Sequence, residues 1–293
     1  MPYLMKFLPF LLCLVVSNIL SAQDKQEKEP AKQVDENKVQ STDEEAKKAL
    51  EEFRKQIEKS KITEDDTIST IGNLGGTKHP KVLDELKKQA KNYKATNKIK
   101  IACIEEIAKY TKDKNATGYL SEIYDSNYGK KETKDVSIAA LEALGSVASE
   151  SSVQQLHRII NDKDDDVAVA VVEALGGIKN KASVEPLLRL LKECEAVMDR
   201  IEAQANIAAA QSAKSSYGGG KGGNASGKQA AADAYKQQQG LAPTSKASLE
   251  QERVKKLQPS VLTSLNSITK QSFSSAKEWE SWWAKNRNTF KVE

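Results

Sequence analysis

A duplicated segment places the strongest constraint on the fold of this chain. Residues 135–145 (DVSIAALEALG) recur as residues 166–176 (DVAVAVVEALG), an offset of 166 − 135 = 31 residues. The stretches that follow, residues 152–160 and 183–191, are related at the same offset of 183 − 152 = 31. Self-similarity at a fixed period of about 20–50 residues is typical of repeat architectures, in which each unit buries its apolar face only against its neighbours.

Each unit reads as two consecutive helices. In the first helix, Val136, Ala140 and Leu144 recur at helical spacing and form one apolar stripe. Two weaker copies precede the duplicated pair, with first helices starting at Asp66 and Asn97, so the starters are spaced by 97 − 66 = 31, 135 − 97 = 38 and 166 − 135 = 31 residues. The spacing predicts an all-α stack of helix pairs.

The duplicated signature also carries a resemblance. The pattern Asp-Val-x-x-Ala-x-x-Ala/Glu-Ala-Leu-Gly resembles HEAT repeats, in particular the short bacterial subtype of phycobilisome-lyase-like proteins, closely over residues 135–192 and less closely over 62–127. This resemblance implies a right-handed α-α superhelix of the HEAT/armadillo type, with an N-terminal helix and four repeats in residues 41–192. It also implies a scaffold whose partners bind the concave surface lined by the second helix of each pair.

The repeat pattern is interrupted over residues 193–258. A helical run leads into a Gly-rich stretch at residues 217–228 and then into a run rich in Ala, Gln and Lys. This composition predicts an inserted helical hairpin with a Gly-rich tip. The pattern resumes after Pro259, so residues 259–293 are expected to form a C-terminal capping helix pair.

Three tryptophans mark the last helix of this pair. Trp279 and Trp283 are four residues apart and share a helix face, so they are predicted to close the end of the core. Trp282 projects to a different face. It is either part of the same hydrophobic cap or an aromatic anchor for a partner.

The N-terminus predicts export. Residues 1–22 read as a secretory signal peptide, with cleavage expected after Ala22, and their apolar run is shorter than the roughly 20 residues that span a bilayer. Residues 23–40 are charged and almost free of apolar side chains, so we expect a disordered tether. The mature protein is therefore expected to be periplasmic or secreted, without an integral membrane segment.

Composition and motifs argue against several function classes. The net charge is +4, from 45 basic and 41 acidic residues of interspersed sign, which disfavours a nucleic-acid partner. The two histidines, His79 and His157, lack partners at ligand spacing, and the GxxxxGK match at residues 222–228 has no preceding strand and no following Ser or Thr. No activated nucleophile or general base stands out. We therefore expect no catalytic residue, cofactor or metal, and no enzyme.

The resemblance directs the search for a partner site to the second helices. Their polar positions, together with the third tryptophan discussed above, are the candidate contacts: Glu85, Lys88, Glu122, Gln155, Arg158, Glu185, Arg189 and Trp282. The expected function is that of a non-catalytic exported scaffold or adaptor for protein–protein interactions in the cell envelope. Two alternatives stay open, a phycobilisome-lyase-like protein that handles a cofactor and a structural envelope component that self-associates.

Overall fold

The computed structural model describes residues 41–59, 62–215 and 246–292. Within these ranges the chain forms eleven α-helices and no strand. No helix of the described ranges has the length and apolar character needed to cross a membrane. The predicted signal peptide, the charged tether at residues 23–40 and the Gly-rich tip lie outside the described residues.

Helix α1 covers Asp43–Ile57, and five helix pairs follow it. The pairs are α2 (Glu64–Gly75) with α3 (Pro80–Ala90), α4 (Asn97–Ala108) with α5 (Lys114–Asn127), α6 (Lys134–Val147) with α7 (Glu150–Ile159), α8 (Asp165–Ile178) with α9 (Val184–Ser215), and α10 (Lys246–Thr269) with α11 (Ala276–Asn286). Short 3₁₀ turns at residues 131–133 and 181–183 precede α6 and α9.

The helices stack in two layers. The first helix of each pair packs on the first helix of the next, from α2 through α4, α6 and α8 to α10. The second helices form the other layer, in which α3 contacts α5, α5 contacts α7, and α9 contacts α11. Helix α1 packs on both α2 and α3. The predicted all-α solenoid of HEAT type is confirmed.

A continuous apolar core fills the space between the two layers. The predicted stripe of Val136, Ala140 and Leu144 is completely buried, and Leu120 and Leu175 are buried at the neighbouring levels. Burying such a Leu or Val contributes about 1.5–3 kcal/mol relative to leaving it in water. Because neighbouring pairs share one core, each pair depends on its neighbours to bury its apolar faces.

Side-chain caps show where the first helices begin. Thr63 and Thr96 cap α2 and α4, and Asp164 caps α8 by accepting from the amides of Asp166 and Val167 at 3.0 and 3.3 Å. Helix α6 has no side-chain cap and begins directly after the 3₁₀ turn. The helix starts are spaced by 97 − 64 = 33, 134 − 97 = 37 and 165 − 134 = 31 residues, which corrects the first two predicted spacings. Asp166 lies inside the helix, because the carboxylate two residues earlier is the one that reaches the free amides.

The structure has no helix break at residue 193 or at Pro259, where the sequence predicted the limits of an inserted hairpin. Helix α9 runs unbroken over 32 residues, α10 runs over 24, and the two pack on each other. A proline inside a helix costs about 3 kcal/mol. Here Leu257 and Val261 are buried on either side of an exposed Pro259, and their burial offsets that cost. The hairpin arms are extensions of repeat helices.

Candidate protein-binding surface

In the first two pairs, the polar side chains of the second helices bond to one another. Glu122 on α5 accepts from Lys87 on α3 at 3.0 Å and from Lys91, the residue that follows the end of α3, at 3.1 Å. Tyr119 donates its hydroxyl to Asp84, and the Lys87 ammonium lies 4.0 Å from the Tyr119 ring centroid. The two lysine hydrogen bonds hold the pKa of Glu122 below its usual range, and the Asp84 hydrogen bond raises the pKa of Tyr119 to about 12. These groups hold α3 to α5.

Glu85 and Lys88 have different surroundings although both are polar positions of α3. Glu85 is only 9% exposed, and its carboxylate accepts from Gln89 at 2.7 Å. The Lys88 side chain is 75% exposed, with its ammonium 3.8 Å from Glu85. Glu85 therefore offers almost no surface to a partner, contrary to its selection from the sequence, whereas Lys88 does.

The second helices of the third and fourth pairs present charge outward. Arg158 on α7 and Arg189 on α9 are exposed, and neither guanidinium has a hydrogen-bond or ion-pair partner among the described residues. Their offset is 189 − 158 = 31 residues, so they occupy equivalent positions on consecutive second helices. Gln155 is half-buried, and exposed Glu185 accepts from the indole N–H of Trp283 at 3.3 Å.

Buried polar contacts fix the second helices relative to one another. The Thr117 hydroxyl lies 2.7 Å from that of Ser149 and 3.1 Å from that of Ser152, which joins α5 to α7. Nε2 of half-buried His157 lies 3.1 Å from the buried hydroxyl of Ser183, and burial lowers the pKa of His157. Satisfied buried polar groups favour one register, because any shift leaves them unpaired.

Trp282 belongs to an aromatic cluster at the C-terminal end of the stack. Its ring centroid lies 5.8–6.2 Å from those of Phe273, Trp279, Trp283 and Phe290. Trp279 and Trp283 are buried, as predicted, whereas Trp282 is half-buried and packs against the core. Its contacts place it in the C-terminal cap, and its role as a partner anchor stays a prediction.

The Asp164–Asp166 triplet is neutralised by neighbouring helices. The ammonium of Lys134 lies 2.8 Å from Asp164 and 2.6 Å from Asp166, and Lys256 lies 3.1 Å from Asp166. Arg253 on α10 contacts Asp165 at 2.7 Å and donates to the carbonyl oxygens of residues 162 and 163 at 2.6 and 3.2 Å. Over the described ranges, no group of three His, Cys, Asp or Glu side chains is arranged to hold a metal.

The two cysteines of the described residues are poor nucleophiles. Cys103 is completely buried and Cys194 is nearly so, and both thiols are free. Burial raises the pKa of Cys103 to about 12 and that of Cys194 to about 11. A thiol becomes reactive when it is exposed and its pKa is lowered, and neither condition holds for these two.

A cleft of about 820 Å³ lies between α1 and α2. Phe53 and Leu74 line it together with polar side chains that include Gln56, Asp66 and Asn73. Sites for small organic ligands are lined mainly by apolar and aromatic groups with a few polar ones. The polar walls of this cleft do not fit that description.

The comparison with known families covers the third and fourth pairs. The family model for HEAT repeats matches residues 129–208, which include α6, α7, α8 and most of α9. A search of curated proteins found no match. The two-layer helical stack extends the same organisation to residues on both sides of the matched segment. Residues 129–208 are thus HEAT repeats, and they belong to a solenoid of HEAT type that continues on both sides of them.

Proposed function

We propose that this protein is a non-catalytic exported scaffold, which holds a protein partner in the cell envelope with the exposed face of α7 and α9. HEAT repeats suggest a protein-interaction scaffold. The observation that carries the proposed site is the pair Arg158 and Arg189, exposed at equivalent positions and without intramolecular partners among the described residues.

Two such arginines favour an acidic protein surface as the partner. Arg158 and Arg189 stand one repeat apart, at the same position of α7 and α9, so their guanidinium groups can bind two carboxylates of one partner surface. A guanidinium binds a carboxylate through two parallel hydrogen bonds, and arginine is enriched among the residues that dominate interface energies. Lys88 adds a third exposed cation to the same layer.

The ends of the stack argue against the self-associating alternative. The outer faces of the terminal helices are polar, so end-to-end stacking of copies would bury little apolar surface. The exposed residues of these faces include Glu44, Lys47, Lys48, Glu51, Lys55, Lys277, Glu280 and Lys285. The absence of catalysis is proposed because both thiols of the described residues are buried and His157 contacts the Ser183 hydroxyl.

The export part of the proposal is supported by the sequence of residues 1–22 alone. Cell fractionation followed by N-terminal sequencing of the mature protein is the direct test. A periplasmic or secreted protein beginning at Gln23 is the expected result. A cytoplasmic protein that keeps its first residues would refute export without affecting the scaffold.

The binding site is tested by affinity capture from the native cells with Arg158→Glu/Arg189→Glu. We expect this variant to lose the partner that the wild type captures, because both positions then repel acidic groups. The matched control is Lys47→Glu/Lys48→Glu, which makes the same charge change on exposed positions of α1. Circular dichroism checks that helicity is unchanged. Equal capture by the two variants would reject α7 and α9 as the site.

A further inference from the structure

The exposed side of the first-helix layer carries a row of glutamates. Glu105 on α4, Glu142 on α6 and Glu173 on α8 are all exposed. Their offsets, 142 − 105 = 37 and 173 − 142 = 31, equal the spacings between the starts of these helices. The three side chains therefore occupy the same position in consecutive repeats, and the row runs along the stack.

A second row, of aliphatic side chains, runs one helical turn before the glutamates. Its members are half-buried, pack on the core and stand at equivalent positions of the first four pairs: Ile68, Ile101, Ile138 and Val169. Residues four apart on a helix lie side by side. The layer therefore shows partly exposed aliphatic groups directly beside carboxylates.

Between α6 and α8 these rows line a groove. Two adjoining hollows of about 500 and 360 Å³ share Glu142 and Glu173. The groove has a close-packed floor, because a Cβ added to Gly145 would lie 3.0 Å from both Cα and Cβ of Ala174. Ile138 and Val169 form the wall toward the helix N-termini.

In the described part of the chain, the glutamates of this row are not ion-paired, although Lys256 and Asp166 also line the smaller hollow, because the Lys256 ammonium pairs with Asp166 at 3.1 Å. Among the described residues, the carboxylate of Glu142 has no hydrogen-bond or ion-pair partner, and Glu173 accepts a hydrogen bond from the Ser260 hydroxyl at 3.1 Å. Burial, and then the nearby Glu173, raise the pKa of Glu142. By contrast, Lys134 and Lys256 neutralise the acids at the N-terminus of α8.

We infer that this groove is a second docking surface, and that it binds an extended, cationic and amphipathic segment of a protein partner. Lys or Arg side chains of the segment pair with Glu142 and Glu173, while its apolar side chains cover Ile138 and Val169. In an extended polyproline II conformation the chain rises about 3.1 Å per residue with three residues per turn, so basic residues at every third position share one face and lie about 9 Å apart, close to the separation of neighbouring packed helices. The surface belongs to the first-helix layer and does not depend on Arg158 or Arg189.

The test uses a fluorescent peptide of five Lys-Leu-Thr triplets, and fluorescence anisotropy with the mature full-length chain. The wild type binds this peptide, more weakly as salt is raised, and does not bind the matching peptide of Glu-Leu-Thr triplets. Glu142→Gln/Glu173→Gln weakens binding on the order of tenfold. Glu193→Gln/Glu202→Gln, two exposed acids of α9, is the control with the same change in charge and binds as the wild type does.

Carbodiimide coupling then locates the bound peptide. Amide bonds from peptide lysines to Glu142 or Glu173, identified by mass spectrometry, support the groove. The inference is overturned if the wild type does not bind the peptide, if both glutamine variants bind equally well, or if coupling occurs only at other carboxylates. It is also overturned if light scattering shows that the glutamates pair two copies of the chain. Arg158→Glu/Arg189→Glu should bind the peptide normally, which separates this surface from the proposed partner site.

Discussion

The first two helix pairs and the next two solve the same packing problem with different chemistry. Between α6 and α8, Gly145 faces Ala174, and the two helices approach closely over small side chains. Between α2 and α4, Gly75 faces Glu106, which is only 8% exposed and has a carboxylate oxygen with no hydrogen-bond partner in the described residues. Since 106 + 37 + 31 = 174, Glu106 and Ala174 occupy the same repeat position.

The other oxygen of this carboxylate accepts at 2.5 Å from Lys109, whose side chain is 55% exposed, and a second, buried lysine lies nearby. The ammonium of Lys78 is buried without a hydrogen-bond partner among the described residues and lies 4.6 Å from the centroid of the Tyr110 ring. Burial lowers the pKa of Lys78, and the charge of Glu106 opposes that shift. The contact between α2 and α4, the charged seam, therefore holds charged groups. The contact between α6 and α8, the small-residue seam, holds methyl groups instead.

The comparison separates what specifies the fold from what specifies the family signature. Both regions form the same two layers, yet the family model covers only residues 129–208, where the small-residue seam lies. The spacing of apolar stripes is sufficient for the layers. The Ala-Leu-Gly signature reports how closely the helices approach.

The largest effect is expected from filling the small-residue seam. Gly145→Val places its side chain against the backbone of α8, which cannot move aside, so the free energy of unfolding should fall by about 3 kcal/mol. Gly177→Val is the control, because no atom lies within 4 Å of its added Cβ. Urea denaturation of both variants measures the difference. Equal stability would show that the close approach at Gly145 is not required.

A smaller gain should follow from converting the charged seam to the apolar type. Lys78→Met/Glu106→Met replaces two buried charged groups by apolar side chains of similar size, and the gain is expected at the lower end of the usual range, about 1 kcal/mol, because Glu106 also gives up its ion pair with exposed Lys109. The single variant Glu106→Met should gain less, because it leaves the buried Lys78 ammonium without the nearby negative charge that favours its protonated form. Urea denaturation of the double-mutant cycle measures both. A double variant less stable than the wild type would contradict this account.

The smallest effect concerns the second-helix surface. Glu122→Gln should cost about 0.5 kcal/mol at pH 7, the usual size for a partly exposed pair. The folded-state pKa of Glu122 lies below its usual value, so its stabilisation is present above the unfolded pKa and is lost as pH falls through the folded pKa. The difference between variant and wild type should therefore vanish in acid.

Arg158→Gln tests the second-helix layer in the third pair, for comparison with Glu122 in the second pair. Its guanidinium has no intramolecular partner among the described residues, so stability should stay unchanged at both pH values. Thermal unfolding monitored by circular dichroism at pH 7 and pH 3 measures both variants. Equal losses for Glu122→Gln and Arg158→Gln at pH 7 would remove the distinction between a bonded and a free surface.

Period and spacing were enough to predict the layers, the stripe of Val136, Ala140 and Leu144, and the exposure of Arg158 and Arg189. They were not enough for Glu85, because helical periodicity assigns a polar residue to a face and cannot tell when a neighbouring helix covers the border of that face. The prediction of a helix boundary at Pro259 was wrong for a related reason. Burial on both sides of it is a tertiary effect that local propensity does not contain.

The glutamate row was missed although its residues are readable. Glu142 and Glu173 stand inside the repeated signature, where the family pattern itself places a glutamate. Only the correct spacing of 37 residues aligns Glu105 with them, and that spacing became visible when the structure located the starts of α4 and α6. The three glutamates are present in the sequence, but the alignment of the repeats that relates them could not be derived from it.

The unbroken helices α9 and α10 are long enough to transmit force to the repeat stack. At 1.5 Å per residue they are about 48 and 36 Å long, and each is seated in the core at one end. Arg253 clamps α10 to the carbonyl oxygens at residues 162 and 163, beside the start of α8. A force applied to these helices at the end farther from the core is therefore transmitted as a torque to the loop before α8. Pulling on α9 and α10 strains the junction between the third and fourth pairs.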